Sequence, residues 1–223
     1  MFAHEHFTFP LLLSLQVSAL ATMLAGLVGL ALGYLLARGR FVGREVLDVL
    51  VTLPLVLPPV VTGYLLLMLL GRHGWLGGPL AHLGIEILFT WKAAVIASAA
   101  AALPFMVKTS RAAIEQVDPE LEATAHLLGF SRWGTLWHVT LPLARQGIFA
   151  GLVLCFARAM GEFGATLMLA GNTPGRTNTV ALEIYAATEA GESRRAAVLV
   201  VFLVVLSFAI LYTANRLGPR SDH

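Results

Sequence analysis

Three stretches of this chain carry no charged residue at all: residues 10–37, 49–71 and 196–215, which are 28, 23 and 20 residues long. A helix crosses the hydrocarbon core of a bilayer with roughly 20 mostly apolar residues. Each stretch therefore reads as a transmembrane helix. Residues 87–107 make a fourth, interrupted only by Lys92 near one end, where a long basic stem can reach the headgroups. Residues 146–172 make a fifth, interrupted by Arg158 and Glu162. Composition agrees: 57% of the 223 residues are apolar and 13% are charged, against about 25% charged in a soluble domain. The expectation is an all-α membrane protein, residues 1–223 forming a single transmembrane domain with five membrane helices. A sixth is counted if the short helical stretch at 179–190, with Glu183 and Glu189, dips into the bilayer instead of lying on its outer surface.

The chain start does not read as a signal peptide. His4, Glu5 and His6 stand where basic residues are needed, and the first apolar run far exceeds the about 7–15 residues of a signal core. Cys155 is the single cysteine, inside a span, so no intrachain disulfide or thiolate metal cluster is expected. The net charge of +2 is less informative than its distribution. Arg38, Arg40 and Arg44 crowd the first connection; Lys108, Arg111, Arg132 and Arg145 fill or flank the third; Arg216 and Arg220 follow the last span. The second connection, residues 72–86, has one arginine. Basic connections stay on the cytoplasmic side, which predicts the N-terminus outside and the C-terminus inside. Arg194 and Arg195 break the pattern, because they open the last span on its outer side.

Two spans carry unusual residues. The second contains Pro54, Pro58 and Pro59, which remove backbone donors and kink a helix; the bend is either a fixed kink or the lining of a pathway that changes shape. In the fifth, Arg158 and Glu162 stand four apart on one helical face and can neutralise each other. Either the pair fixes helix packing, or Arg158 faces a pathway and meets an anion. Gly161 and Gly164 beside it permit close helix approach. Thr166, Asn172 and Thr173 offer hydrogen-bonding groups towards the outer end.

Residues 118–142, DPELEATAHLLGFSRWGTLWHVTLP, form a polar island between spans. Asp118, Pro119 and Glu120 make a helix start from an Asx cap, a proline in the first turn and an early acid. Leu121, Ala125 and Leu128 form one narrow apolar stripe. Gly129 suits a left-handed stop, Ser131 can cap a second short helix with Trp133, Leu136 and Trp137, and Pro142 begins the next span. By composition this is either an amphipathic hairpin on the lipid surface or a docking element.

The island resembles the cytoplasmic signature loop of binding-protein-dependent ABC importer permeases: Glu-Ala-Ala, three residues, Gly, nine residues, Ile, one residue, Leu-Pro. Counted from Gly129, the first element falls on Ala123, Thr124 and Ala125, Val139 takes the isoleucine place, and Leu141 and Pro142 close the pattern. The acid comes one residue early, at Glu122, and Thr124 replaces an alanine. The resemblance covers roughly residues 11–216. Within it, residues 53–77 (LPLVLPPVVTGYLLLMLLGRHGWLG) and 156–180 (FARAMGEFGATLMLAGNTPGRTNTV) are similar to the molybdate, tungstate and sulfate importers, and nearest to the molybdate pattern.

That resemblance implies a multi-pass permease of the bacterial inner membrane that moves molybdate inward by alternating access, with sulfate or tungstate as the alternative cargo. The loop would dock on a cytoplasmic ATPase through Glu122, Ala123, Ala125, Gly129, Arg132, Trp133, Leu141 and Pro142. Arg158, Glu162, Thr166 and Asn172 are the pathway or gate candidates. One loop per chain, and five spans too few to enclose a central pathway, imply a two-fold homodimer with two ATPase subunits, a periplasmic oxyanion-binding protein and surrounding membrane lipid; no nucleic acid is expected. The chain itself is not expected to be an enzyme or to bind a cofactor or metal. It has no GxxxxGK[ST] loop and no HExxH, its seven histidines lie outside the apolar cores, and ATP is left to the partner. An ion-coupled secondary transporter is the rival class; it calls for repeat halves, and none is visible.

Overall fold

The computed structural model describes residues 2–217; Arg220 and His223 lie outside the described residues. Every regular element among the described residues is helical. Helix α1 spans Phe2–Arg38, α2 Arg44–Val56, α3 Pro59–Leu70, α4 Gly77–His82, α5 Trp91–Glu115, α6 Pro119–Leu127 and α7 Arg132–Thr135. After a π-helical turn at Leu136–Thr140 come α8 (Leu141–Met160), α9 (Gly164–Ala170), α10 (Val180–Glu189) and α11 (Ser193–Leu217). Four segments are individually long and apolar enough to cross a membrane: Thr8–Arg38, Trp91–Glu115, Arg132–Met160 and Ser193–Ala214. The expected second span, residues 49–71, is divided between α2 and α3. Helix α10 has ten residues, about 15 Å or half a bilayer core, so it cannot cross alone.

Helix α5 is the central post. It packs along α1 and α8 and also touches α9 and α2. Its buried face is built from small residues, among them Ala93, Ala94, Ala97, Ser98, Ala101, Ala102 and Ser110. Lipid tails are as apolar as any side chain, so close backbone approach, not hydrophobicity, holds membrane helices together. The partners supply glycines where α5 presents larger groups. A Cβ on Gly29 would stand 2.7 Å from that of Met106, and one on Gly33 would collide with the Ser110 hydroxyl. Ser110 is not left unsatisfied there, since its Oγ donates to the Met106 carbonyl at 2.6 Å.

Two expected spans are not single helices. The second is broken, not kinked, at Leu57 and Pro58. Pro58 bars the residue before it from helical geometry, and Leu57 is extended (φ −70°, ψ 140°); Pro59 does the same to Pro58 (ψ 138°). The fifth span breaks at 161–163, between α8 and α9. It also begins earlier than expected, because α7 runs through the π-turn into α8 without a loop. Pro142 cannot donate, and its ring crowds the carbonyl four residues back; the wider turn ahead of it accommodates both, with Leu141 N–H donating to the Leu136 carbonyl.

Candidate functional site

The island folds with the capping chemistry its sequence predicts. The Asp118 carboxylate accepts from Glu120 N–H at 2.9 Å and opens α6. Gly129 stops it at φ +90°, with no atom within 4 Å of a built Cβ. The Ser131 hydroxyl accepts from Gly134 N–H at 3.1 Å and opens α7. The expected stripe divides, however. Ala125 is buried, whereas Leu121 is 49% exposed and Leu128 75% exposed. With Leu127, Trp133 and Trp137, all outward, they make an apolar surface over α6 and the opening turns of the segment that continues into α8, the composition of a docking face. Ala123, Arg132 and Pro142 are also exposed, and Leu141 is half-buried.

Glu122 turns the other way. Its Oε2 lies 3.0 Å from Arg38 Nε and its Oε1 accepts from Arg38 Nη2 at 3.2 Å, a two-pronged pair with the end of α1. Thr140 Oγ1 donates to Glu122 Oε1 at 2.7 Å, and Arg38 Nη2 also donates to the Val117 carbonyl at 2.8 Å. A largely apolar groove of about 930 Å³ opens above this network, bounded by Leu27, Leu30 and Leu35 of α1 on one side and Trp133, Leu136 and Trp137 on the other. Arg38 stood in the sequence only as a basic residue after a span; nothing local points it at Glu122, 84 residues away.

The basic connections share this end of the bundle. Asp48 of α2 pairs with Lys108 at 2.8 Å and Arg111 at 3.0 Å, and Arg111 and Arg44 both meet Glu115. Just ahead of its apolar run, the Asp48 carboxyl is held below the usual carboxylate range, chiefly by the Lys108 hydrogen bond, against the opposing pull of burial.

The gate candidates begin in the last turn of α8 with Arg158 and continue past its end; α8 has 20 residues, so they stand roughly 30 Å from the island. Arg158 Nη2 and Glu162 Oε2 are 2.7 Å apart. Glu162 also serves the backbone, because its Oε1 accepts from Ala165 N–H at 2.8 Å and so caps α9 across the break. The two breaks face each other. A Cβ on Gly164 would come within 2.9 Å of Pro59 Cβ, and one on Gly63 within 2.8 Å of Ala165 Cα. Thr166 beside them is fully buried, and its hydroxyl has no partner among the described residues. Asn172 Nδ2 donates to the Leu182 carbonyl at 3.3 Å, tying the outer loop to α10, while the Thr173 N–H donates to the Thr177 hydroxyl at 2.9 Å. Of the gate candidates, the structure thus brings Arg158 and Glu162 together and sets the break that holds Glu162 against Pro59.

At the outer end, Arg195 is neutralised by Glu183 and by Glu192 at 2.9 Å. Asn178 Nδ2 donates to Glu183 at 3.0 Å, and Val180 N–H donates to Ser14 Oγ of α1 at 2.8 Å. The out-of-pattern arginine is therefore partnered by a buried acid on α10, a pairing that sequence distance hid.

The family profile described as the inner membrane component of binding-protein-dependent transport systems matches residues 27–221. The chain is 43% identical over 203 residues to the molybdenum transport system permease protein ModB of Escherichia coli, covering 90% of this chain and 89% of that one. To the sulfate transport system permease protein CysT of the same organism it is 34% identical over 200 residues, 90% of this chain and 72% of that one. Among solved structures, a chain of the MetNI methionine ABC transporter in inward-facing conformations shares the fold at TM-score 0.73 and 17% identity, covering 94% of this chain and 93% of that one. A chain of the bacterial alginate ABC transporter, in complex with its pentasaccharide-bound periplasmic protein, does so at TM-score 0.72 and 20% identity, covering 95% and 77%. The chain belongs to the family of inner membrane components of binding-protein-dependent transport systems.

Proposed function

We propose that this permease carries molybdate from periplasm to cytoplasm, as a two-fold homodimer that docks two cytoplasmic ATPase subunits and receives its cargo from a periplasmic binding protein. The observation that carries the cargo is the gap in identity: 43% to a molybdenum permease against 34% to a sulfate permease, each over 90% of this chain. The exposed face of Leu121, Leu127, Leu128, Trp133 and Trp137 supports docking on the ATPase, and Gly129 and Arg132 of the same segment are exposed as well. ATP is bound and hydrolysed by that partner. The facing breaks at Pro58–Pro59 and at 161–163 support a gate that opens where the backbone is already interrupted, with Arg158, Glu162, Thr166 and Asn172 around it. Helices that are already broken can rock as halves with few hydrogen bonds to sever.

The test is reconstitution of the permease with its ATPase and binding protein in proteoliposomes. Molybdate should stimulate ATP hydrolysis and accumulate inside, and only when the binding protein is present. Equal stimulation by sulfate would overturn the cargo, and stimulation without the binding protein would overturn the importer mechanism. Tungstate should compete with molybdate, since both are tetrahedral dianions of nearly the same size.

A further inference from the structure

We propose that Arg38 is a positioning residue for transport: with Glu122 and Thr140 it forms a latch that makes α1 move with the docking segment. The inference rests on the functional reading above and adds to it a route for the force. Helix α6 is held loosely. Ala125 is its single buried residue, and its remaining apolar side chains Leu121 and Leu127 face outward. What binds it to the bundle is the Glu122 carboxylate, gripped by both Arg38 Nε and Nη2 and by the Thr140 hydroxyl. The Arg38 and Glu122 side chains are 21% and 16% exposed, and the fork is fixed on a second side by the Val117 carbonyl, just past the end of α5. A two-pronged arginine–carboxylate pair constrains orientation as well as distance, so a tilt of α6 is passed on as a tilt.

The receiving element is stiff. Helix α1 lies against α5 at glycines where a Cβ would collide, Gly29 with Met106 and Gly33 with Ser110, and against α8 where Gly26 faces the tip of Leu152, so a push on Arg38 is delivered along the bundle. The covalent route into α8 runs instead through the widened π-turn at Leu136–Thr140. Arg38, Glu122 and Thr140 all line the groove beneath Trp133 and Trp137, so a partner seated there bears directly on the latch. Two routes leave the docking face, and the latch is the one that reaches α1.

The experiment uses the whole complex in proteoliposomes. Arg38→Gln should lower oxyanion uptake per ATP hydrolysed about fivefold or more, within the usual range of coupling between sites. Arg38→Lys, which keeps the charge but not the fork, should fall between. Glu122→Gln should resemble Arg38→Gln, and the double variant should be no worse than either, as for two halves of one device. Spin labels at Met23 and Glu120, in a chain whose only cysteine is buried, read the latch without any cargo. Their separation should stay constant between nucleotide-free and ATP-bound wild-type complex, and should change in Arg38→Gln. Unchanged uptake per ATP, independent effects of the two single variants, or label distances indifferent to Arg38 would each overturn the latch. So would loss of the ATPase from the purified Arg38→Gln complex, which would make Arg38 a docking residue. Wild-type vesicles that take up no oxyanion would count against the functional reading alone.

Discussion

Glu162 has a side chain 1% exposed and a formal charge inside a membrane span. Such a group persists only when paired and hydrogen-bonded, and it has both Arg158 and the Ala165 N–H. The two partners are not equivalent. Arg158 is 27% exposed and can turn towards water or headgroups if abandoned; Glu162 cannot. Arg158→Ala should therefore lower stability by about 3–5 kcal/mol, the cost of stranding a buried charge. Glu162→Gln, which keeps an acceptor for Ala165, should cost clearly less; thermal melting of the purified permease in detergent gives the order. The i,i+4 spacing made the ion pair legible in the sequence, but not the cap, which needs the break. Gly129 is the opposite case, fully legible. Its φ of +90° and empty surroundings mean that Gly129→Val adds only backbone strain, about 1–2 kcal/mol. That strain falls on the α6–α7 turn, so uptake per ATP should drop while the amount of protein inserted in the membrane stays the same.

At the level of elements, hydropathy counts side chains and overlooks missing backbone donors. Residues 49–71 and 146–172 therefore look like single helices by that measure. Leu-Pro-Pro and Gly-Glu-Phe-Gly divide both, and the pieces α3 and α9 pack on each other through Gly63 and Gly164. The crossing should be sensitive to bulk at one glycine and indifferent at its neighbour. Gly164→Leu drives a side chain into Pro59 and the Val60 backbone, and overpacking of this kind costs about 1–3 kcal/mol. Gly161→Ala meets only the Ala157 carbonyl at 3.8 Å, at an ordinary φ of −89°, and should leave the melting temperature nearly unchanged. Equal effects from the two substitutions would contradict the packed crossing. The island is far more legible, because caps and stops act within one turn. Its stripe is the exception, since Ala125 faces the bundle while Leu121 and Leu128 do not.

For the whole molecule, the outer faces matter most. Only 6% of the apolar stretch of α11 is buried within the chain, and α2 has no buried residue. Val49, Leu50, Val56, Tyr64 and Met68 on α2 and α3 stand open, more apolar surface than one chain can cover from its own elements. Lipid suits α11. The broken pair α2–α3, beside the candidate gate, is the face that the proposed second copy would cover. The purified transporter should accordingly contain two permease chains and two ATPases by native mass; one permease chain per complex would refute the dimer.

The sequence by itself determined which stretches are apolar enough for a membrane, which end of the bundle is basic, where the helices of the polar island start and stop, and to which family the chain is similar. Those outcomes rest on free energies set within a few residues: transfer of an apolar run into lipid, an Asx or serine cap, a left-handed glycine. Only the tertiary structure decided that Arg38 grips Glu122 across 84 residues, that Glu183 neutralises Arg195, and that the two helix breaks face each other. These depend on which helices lie side by side, and that is set by the fit of small residues along α1, α5 and α8. An apolar run does not encode its partner, because every neighbour in lipid, protein or acyl chain, is equally apolar.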